Sequence, residues 1–412
     1  MPLTIGLDFG TSNTSAAVLR DGRPEVLQLE PGQAVLPTAI FLDYAARTTL
    51  YGSDAVAAMI EGRRGRFMRA LKSILGTPLA RERRTFLNER LTLLEIIARF
   101  LAEVRARAGA AIGDEVTGVV AGRPVHFHPN AARDARAEQD LAECYAMAGF
   151  TGLRFLPEPE AAALAAGPGP AGEVGLIVDI GGGTSDFTLF RAAAQGGIDV
   201  LASHGVRIGG TDFDRALSLQ HVMPLFGLGG ELRNEIGPGR HDVPRAMFVE
   251  LASWEKIAFI YGPDSLRAAK LMARQAVTPE RLGRLVTVLE MEQGHEVAFA
   301  VEAAKIAANG GTGVGRIDLG MVERGLAPVL TGDDLMTGLW PFAEKIGEAV
   351  GVTLSRAGLP PAAVGRVIFV GGSSLVTVID RLLRATFPAA RFETAEVFTA
   401  VVDGLALATA ER

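Results

Sequence analysis

The chain opens with short apolar runs separated by small polar turns. LTIGLDF (3–9), TSAAVL (14–19) and EVLQLE (25–30) read as three strands of a meander, with GTSN and RDGRP as the turns between them. The period then lengthens. Residues 53–75 and 87–110 repeat their apolar positions at helical spacing. VTGVVAG (116–122) predicts a strand, 131–149 a helix ending at Gly149, LRFLPE (153–158) a short strand, and 159–167 a helix with Pro159 at its first position. GPGPAGE (167–173) breaks the pattern as a hinge or boundary. A hairpin follows at 175–190. Residues 211–345 are mostly helical, with a glycine-rich loop at 308–315. VGRVIFVGG (364–372) runs from strand into glycine turn, 374–388 predicts a helix, and 397–412 a closing helix with Gly404 inside it.

One pattern occurs twice. GLDFGTSNTSAAVL (6–19) resembles IVDIGGGTSDFTLF (177–190), and setting Asp8 on Asp179 sets Gly10 on Gly181. Two strand–Asp–x–Gly–turn–strand units this far apart predict two similar lobes rather than a short-period repeat.

Composition narrows the picture. The 412 residues are 48% apolar and 21% charged, an ordinary globular mix with room for two or three domains at about 150 residues each. A net charge of −6 lacks the basic footprint of a nucleic-acid binder. The locally basic RRGRFMRALK (63–72) reads as a solvated helix face. Cys144 is the only cysteine, so no intrachain disulfide is expected, which suits a reducing compartment. The start has no leader-like pattern, and no apolar run approaches the ~18 residues of a membrane span. The expectation is a soluble cytoplasmic protein with neither membrane nor nucleic acid as partner. Only five of the 41 basic residues are lysine (Lys72, Lys256, Lys270, Lys305 and Lys345), so a lysine in a motif is conspicuous.

The candidate chemistry lies in the glycine turns. Three adjacent glycines after an apolar strand cost backbone entropy and imply a close approach. A phosphate chain needs backbone N–H donors, hydroxyls and that closeness. Gly10, Thr11, Ser12 and Asn13 offer it in one turn, and Gly181, Gly182, Gly183 and Thr184 in the other. Each turn follows an acid at a strand end, Asp8 or Asp179, and paired carboxylates beside phosphates suit Mg²⁺. Either turn alone also reads as an ordinary glycine hairpin. No Gly-Lys dipeptide exists, which excludes a P-loop. The G-x-G-x-x-G match at 167–172 precedes a strand and carries prolines, so it is set aside. A third turn, RIGGTDFD (207–214), holds Gly209 and Gly210, with Asp212 or Asp214 able to cap the helix that follows. A fourth, FVGGSS (369–374), offers donors at a helix start. His126 and His128 alternate without completing a metal set, and Trp254 and Trp340 read as core or subdomain-interface residues.

Seven segments together resemble the actin/DnaK/sugar-kinase ATPase superfamily. Within it they resemble the ATPase domain of DnaK-type chaperones: IGLDFGTSNT (5–14), LKSILG (71–76), EPEAAALAAG (158–167), LIVDIGGGTSDF (176–187), RIGGTDFD (207–214), VEAAKIAAN (301–309) and VIFVGGSS (367–374). The resemblance implies an α/β, two-lobed actin-like ATPase fold, each lobe a ribonuclease-H-like mixed sheet with flanking helices. Lobe I would comprise 1–167 and 393–412. Lobe II would comprise 168–392, with a helical subdomain at about 211–345. ATP/ADP and Mg²⁺ are the implied ligands. Lys72 resembles the catalytic lysine that orients water. Asp8 and Asp179 resemble the Mg²⁺-organising acids, Asp186 and Glu158 the acids that hold water and couple the lobes, and Thr184 the hydroxyl near the terminal phosphate. Glu302 and Lys305 resemble the ribose-contacting pair, and Gly371, Gly372 and Ser373 the adenosine turn.

The chain departs from the chaperone pattern in places. Ile306 and Leu375 stand where two adenine-stacking arginines are usual, Phe398 where an acid is usual, and PVHF (124–127) in place of a Pro-Ala-Tyr-Phe-like run. Pro157 and Glu160 flank Glu158 atypically. The sequence stops at Arg412 after the closing helix, which, with HVMPLFGLGGE (221–231), resembles YegD-like homologues lacking a substrate-binding domain. The expected function is slow Mg²⁺-dependent ATP hydrolysis coupled to lobe movement. A small-molecule kinase of the same superfamily, or a nucleotide-gated scaffold or filament protein, are the alternatives.

Overall fold

A computed structural model describes residues 3–167, 169–193, 198–394 and 399–410, apart from the side chains of 374 and 375. Phe398 and the Leu375 side chain lie outside the described residues.

Leu3–Phe9 is the middle of a six-stranded sheet. On one side it pairs antiparallel with Asn13–Arg20, which pairs in turn with Arg23–Val26 and the short Leu36–Pro37. On the other side Val116–Arg123 and Gly152–Pro157 add in parallel. The helices Leu93–Ile112 and Ala131–Met147 precede these two strands as the crossovers that parallel pairing requires. A second sheet repeats the scheme. Val174–Ile180 is its middle strand, Ser185–Ala192 and Ile198–Val206 extend it antiparallel, and Arg366–Val370 and Arg391–Thr394 extend it in parallel. With strands counted in chain order, both sheets read 3-2-1-4-5, Leu36–Pro37 lying off that path. The repeated sequence pattern is thus the first hairpin of each sheet.

Two helices fill the space beside both sheets. Glu158–Ala166 and Ala400–Ala408 pack on one another, and one buried cluster joins Ala161, Ala162, Val401 and Leu405 to Val120 of the first sheet and Ile177, Phe190 and Ile368 of the second. The contact is backbone to backbone. A Cβ built on Gly404 would stand 1.8 Å from the Ala161 carbonyl oxygen, and one on Gly6 would stand 2.5 Å from the Ala406 nitrogen. The mid-helix Gly404 therefore lets the two helices close up, and Gly6 lets the first strand close on the second of them.

By contact density the chain forms two compact units. One is Met1–Gly210 with Glu344–Arg412 and holds both large sheets. The other, Thr211–Ala343, is mostly helical with two small hairpins. Its core includes Trp254, which is 2% exposed and meets Phe299 edge-on, whereas Trp340 is 40% exposed and is not a core residue.

Periodicity misjudged three segments. The helix expected over 53–75 stops at Ile60, where Gly62 turns into the left-handed region; Gly65–Arg69 then pairs antiparallel with Ala39–Asp43. The basic stretch 63–72 is consequently no solvated helix face, since Phe67 and Met68 are buried. The helix expected over 87–110 begins only at Leu93. Leu87 and Asn88 make a left-handed hairpin turn, and Thr92 and Glu95 then cap the helix reciprocally. The strand expected over 25–30 ends at Val26.

Candidate functional site

The two glycine turns share one hydrogen bond. Gly10 N donates to Asn13 O at 2.9 Å, and Gly181 N donates to Thr184 O at 3.0 Å, positions equivalent under the sequence repeat. The turns also touch. A Cβ on Gly182 would lie 2.6 Å from Ser12 Oγ and 3.0 Å from Thr11 Cβ, and one on Gly183 would lie 3.0 Å from Thr11 Oγ1. Gly209 nests on the same turn, where a Cβ would stand 2.5 Å from Gly183 N, and Gly210 N donates to Gly181 O at 3.0 Å. Gly371, with φ +77°, closes over Ile180 and Asp179, and Ser373 of the following 3₁₀ turn approaches Gly210. At Gly209 and Gly371 glycine is required by crowding against main chain, whereas Gly182, Gly183 and Gly210 lie against the side chains of Thr11, Ser12, Ser73 and Ser373.

Beneath the turns the strand ends bring four carboxylates around one ammonium. Asp179 and Asp186 face each other across the second hairpin. Asp179 is 6% and Asp186 1% exposed. Asp8 ends the first strand, and its charge adds to those of Glu158 and Asp186 on Asp179. Glu158 opens its helix and accepts from Lys72 Nζ at 2.7 Å, with both side chains nearly buried. Burial and the charge of Glu158 push the Asp8 carboxyl up to about 7. Burial and Glu158 likewise raise Asp186 to about 8, despite hydrogen bonds from Val125 N and the Thr184 side chain. Burial and its three acidic neighbours hold Asp179 well above the carboxylate range. Burial alone would lower Lys72, but Glu158 and Asp8 outweigh it and keep the ammonium charged.

That excess of negative charge is what a divalent cation relieves. Among the described residues no group of three or more His, Cys, Asp or Glu is set to hold a metal ion directly. A hydrated Mg²⁺, held through one or two carboxylates with its waters retained, fits such a donor set.

Lys72 lies on a 3₁₀ turn, Leu71–Ile74, not on a helix. Ala70, just before it, sits at φ +60° and ψ +27°, a left-handed conformation that costs a non-glycine residue about 1 kcal/mol or more and tends to gather at functional sites. The turn is held from behind. Asp140, fully buried on Ala131–Met147, accepts from Gly76 N at 2.9 Å and from both Nε and Nη2 of Arg81. A small pocket beside it is lined by polar and glycine residues, Thr11, Lys72, Ser73, Gly183, Thr184 and Arg207, together with Leu75, Pro124 and Phe127. Arg207 donates through Nη2 to Ser73 O. Sequence reasoning missed Asp140, Ser73 and Arg207. Arg207 was within reach, being the only cation in RIGGTDFD; Asp140 had no local signal.

The remaining candidates are placed as follows. His126 Nδ1 lies 3.0 Å from Asp134 Oδ2, and Asp134 also accepts from the backbone of Phe127 and His128, so this acid orders the PVHF segment. In the helical unit, Lys305 is 8% exposed and pairs at 2.7 Å with Asp214, which also accepts from Trp254 Nε1. Asp214 is thus a buried partner rather than a helix cap; burial raises its carboxyl, partly offset by Lys305. Glu302 shares that helix, and Ile306 is 64% exposed.

A protein-family model described as "Hsp70 protein" matches residues 4–228, more than half of the chain. The chain belongs to the Hsp70 family. Within this Hsp70 chain the matched segment carries Asp8, both glycine turns, Lys72, Glu158, Asp186 and Arg207, while Glu302, Lys305 and Gly371–Ser373 fall outside it. The likeness is to a DnaK-type ATPase domain, and the mixed sheets with their many helices agree with the fold of such Hsp70 domains. Among curated relatives, a "Chaperone protein HscA homolog" of Burkholderia multivorans is 32% identical over 244 residues, 55% of this chain and 38% of that protein. The protein of the same description from Bordetella pertussis is 34% identical over 232 residues, 52% of this chain and 36% of its own. That of Azotobacter vinelandii is 30% identical over 286 residues, 63% of this chain and 44% of its own. The alignments thus take in less than half of each of these relatives. No helix among the described residues is long and apolar enough to cross a membrane.

Proposed function

We propose that this chaperone-type chain binds ATP and ADP with Mg²⁺ where its two glycine turns meet, and that it hydrolyses ATP slowly. The observation that carries the reading is the pair of equivalent turns in contact above Asp8, Asp179, Asp186, Glu158 and Lys72. The backbone N–H groups of Gly10–Ser12 and Gly181–Thr184 hold the phosphate chain. Asp8 and Asp179 hold the metal through its water shell, and that metal, when bound, neutralises phosphate charge. Lys72, fixed by Glu158, orients the attacking water against the terminal phosphate, and Asp186 takes part in the same water network. Catalysis of this kind is positioning and charge stabilisation more than covalent chemistry.

The lobes in this reading are 1–167 with 393–412, and 168–392 including the helical part at about 211–345. The crossed helices between the sheets are the place where hydrolysis would become lobe movement. Glu302, Lys305 and Gly371–Ser373 are proposed for the nucleoside, with the exposed Ile306 leaving adenine weakly gripped. HVMPLFGLGGE favours the YegD-like branch, and the buried single Cys144 suits the cytoplasm.

Calorimetric titration with ATP, ADP and GTP, with and without Mg²⁺, tests the binding. Single-turnover hydrolysis in wild type and Lys72→Ala tests the chemistry. Micromolar to millimolar Mg²⁺-dependent binding and a rate lowered about 100-fold or more in the variant are expected. Absence of nucleotide binding, or an unchanged rate in Lys72→Ala, would refute the assignment.

A further inference from the structure

We infer that Arg207 is a second cation for the terminal phosphate, and that it makes this site prefer a nucleoside triphosphate over a diphosphate. The inference rests on the phosphate reading of the same turns. Lys72 cannot meet a phosphate as a free charge, because its ammonium is bonded to Glu158 at 2.7 Å and lies in the field of Asp8 and Asp186. An incoming terminal phosphate therefore needs a cation that no carboxylate has already neutralised.

Arg207 is that cation. It lines the same pocket as Lys72, Thr11, Gly183 and Thr184. Its one protein partner among the described residues is the Ser73 carbonyl, reached through Nη2, which leaves most of its five N–H donors for a ligand. Many arginines of this chain pair with carboxylates, from Arg20 with Glu25 to Arg391 with Glu173, whereas among the described residues Arg207 has no such pair.

The guanidinium is also pre-positioned. Ser185 Oγ donates to Ile208 O at 2.7 Å, Gly210 N donates to Gly181 O at 3.0 Å, and Gly209 packs on Gly183. The main chain on the C-terminal side of Arg207 is thereby fixed to the phosphate turn itself. The bond to Ser73 spans from this turn to the turn of Lys72, so the two cations approach one pocket from two sides. A planar fork offers two parallel N–H groups to phosphate oxygens, which an ammonium cannot do.

The test uses the full chain as wild type, Arg207→Ala and Arg207→Lys. Calorimetry reads the affinities for Mg²⁺ with a non-hydrolysable ATP analogue carrying an imido bridge, and for Mg²⁺ with ADP. In Arg207→Ala the triphosphate affinity falls about 10-fold or more, the worth of a charge-assisted hydrogen bond, while ADP affinity stays within about 2-fold. Arg207→Lys lies between the two. Millimolar guanidinium chloride restores triphosphate binding to Arg207→Ala and leaves wild type unchanged. An unchanged triphosphate-to-diphosphate ratio, or equal loss of both without guanidinium rescue, overturns the inference and assigns Arg207 to holding the Ser73 turn. Wild type that binds neither nucleotide removes the underlying phosphate reading together with the inference. Wild type that binds both, with an unaltered ratio in the variant, removes the inference alone.

Discussion

Gly404→Ala isolates the crossing of the two central helices. The new methyl carbon would fall 1.8 Å from Ala161 O and 2.4 Å from Ala161 C, where ordinary contact begins near 3.4 Å. The helices would have to separate by about 1.5 Å, because neither the Ala161 backbone nor Ala162 and Ala163 after it can turn away. Overpacking of a closed core costs typically about 1–3 kcal/mol. Alanine returns up to about 1 kcal/mol of helix propensity. The net expectation is a loss of about 1–2 kcal/mol. The movement would also displace Glu158, one turn from Ala161, so nucleotide affinity should fall with stability. Urea titrations followed by circular dichroism give the midpoint shift, with Gly351→Ala as control. Gly351 is helical and exposed, with no atom within 4 Å of its added Cβ, so that variant should gain stability. A Gly404→Ala midpoint at or above wild type would show that the helices are not in backbone contact.

Ligand-free stability should fall as pH rises from about 4 through 8. The unfolded aspartates ionise near 3.8, while Asp8 and Asp186 resist ionisation until about 7 and about 8, so the folded state holds the extra protons that higher pH removes. Asp186→Asn should flatten that slope; urea midpoints at pH 5, 7 and 8.5 that show equal slopes in both proteins would contradict it. Gly209→Ala drives a methyl to 2.5 Å from Gly183 N and should cost about 1–3 kcal/mol with loss of nucleotide binding, whereas Gly311→Ala, with open space around it, should leave binding alone. Calorimetry on the two variants decides.

The two hairpins were legible in the sequence because each compresses its information into adjacent residues: an apolar strand, an acid, glycines and hydroxyls. Their repetition also foretold twin sheets, and their glycines foretold the close approach. The segment 53–75 misled because its apolar residues keep helical spacing across Gly62 and Gly65, while the strand pairing that decides 65–69 comes from Ala39–Asp43. Lys72 was singled out by its motif, but its left-handed approach through Ala70 was invisible, since alanine carries no signal for that conformation. Asp140 reads as one more polar helix residue; only the tertiary fold delivers Gly76 N and Arg81 to it. The pairing of Lys305 with Asp214 was missed for the same reason, 91 positions separating the two.

The crowding of acids around Lys72 has a calorimetric consequence. Near neutrality, until a cation binds, the cluster stores hydrogen ions that free aspartates would long have surrendered to solvent. A cation entering there expels them, and the surrounding buffer must take them up. The heat of binding would therefore change with the buffer's own ionisation enthalpy, and affinity would strengthen toward alkaline solution while stability without ligand falls.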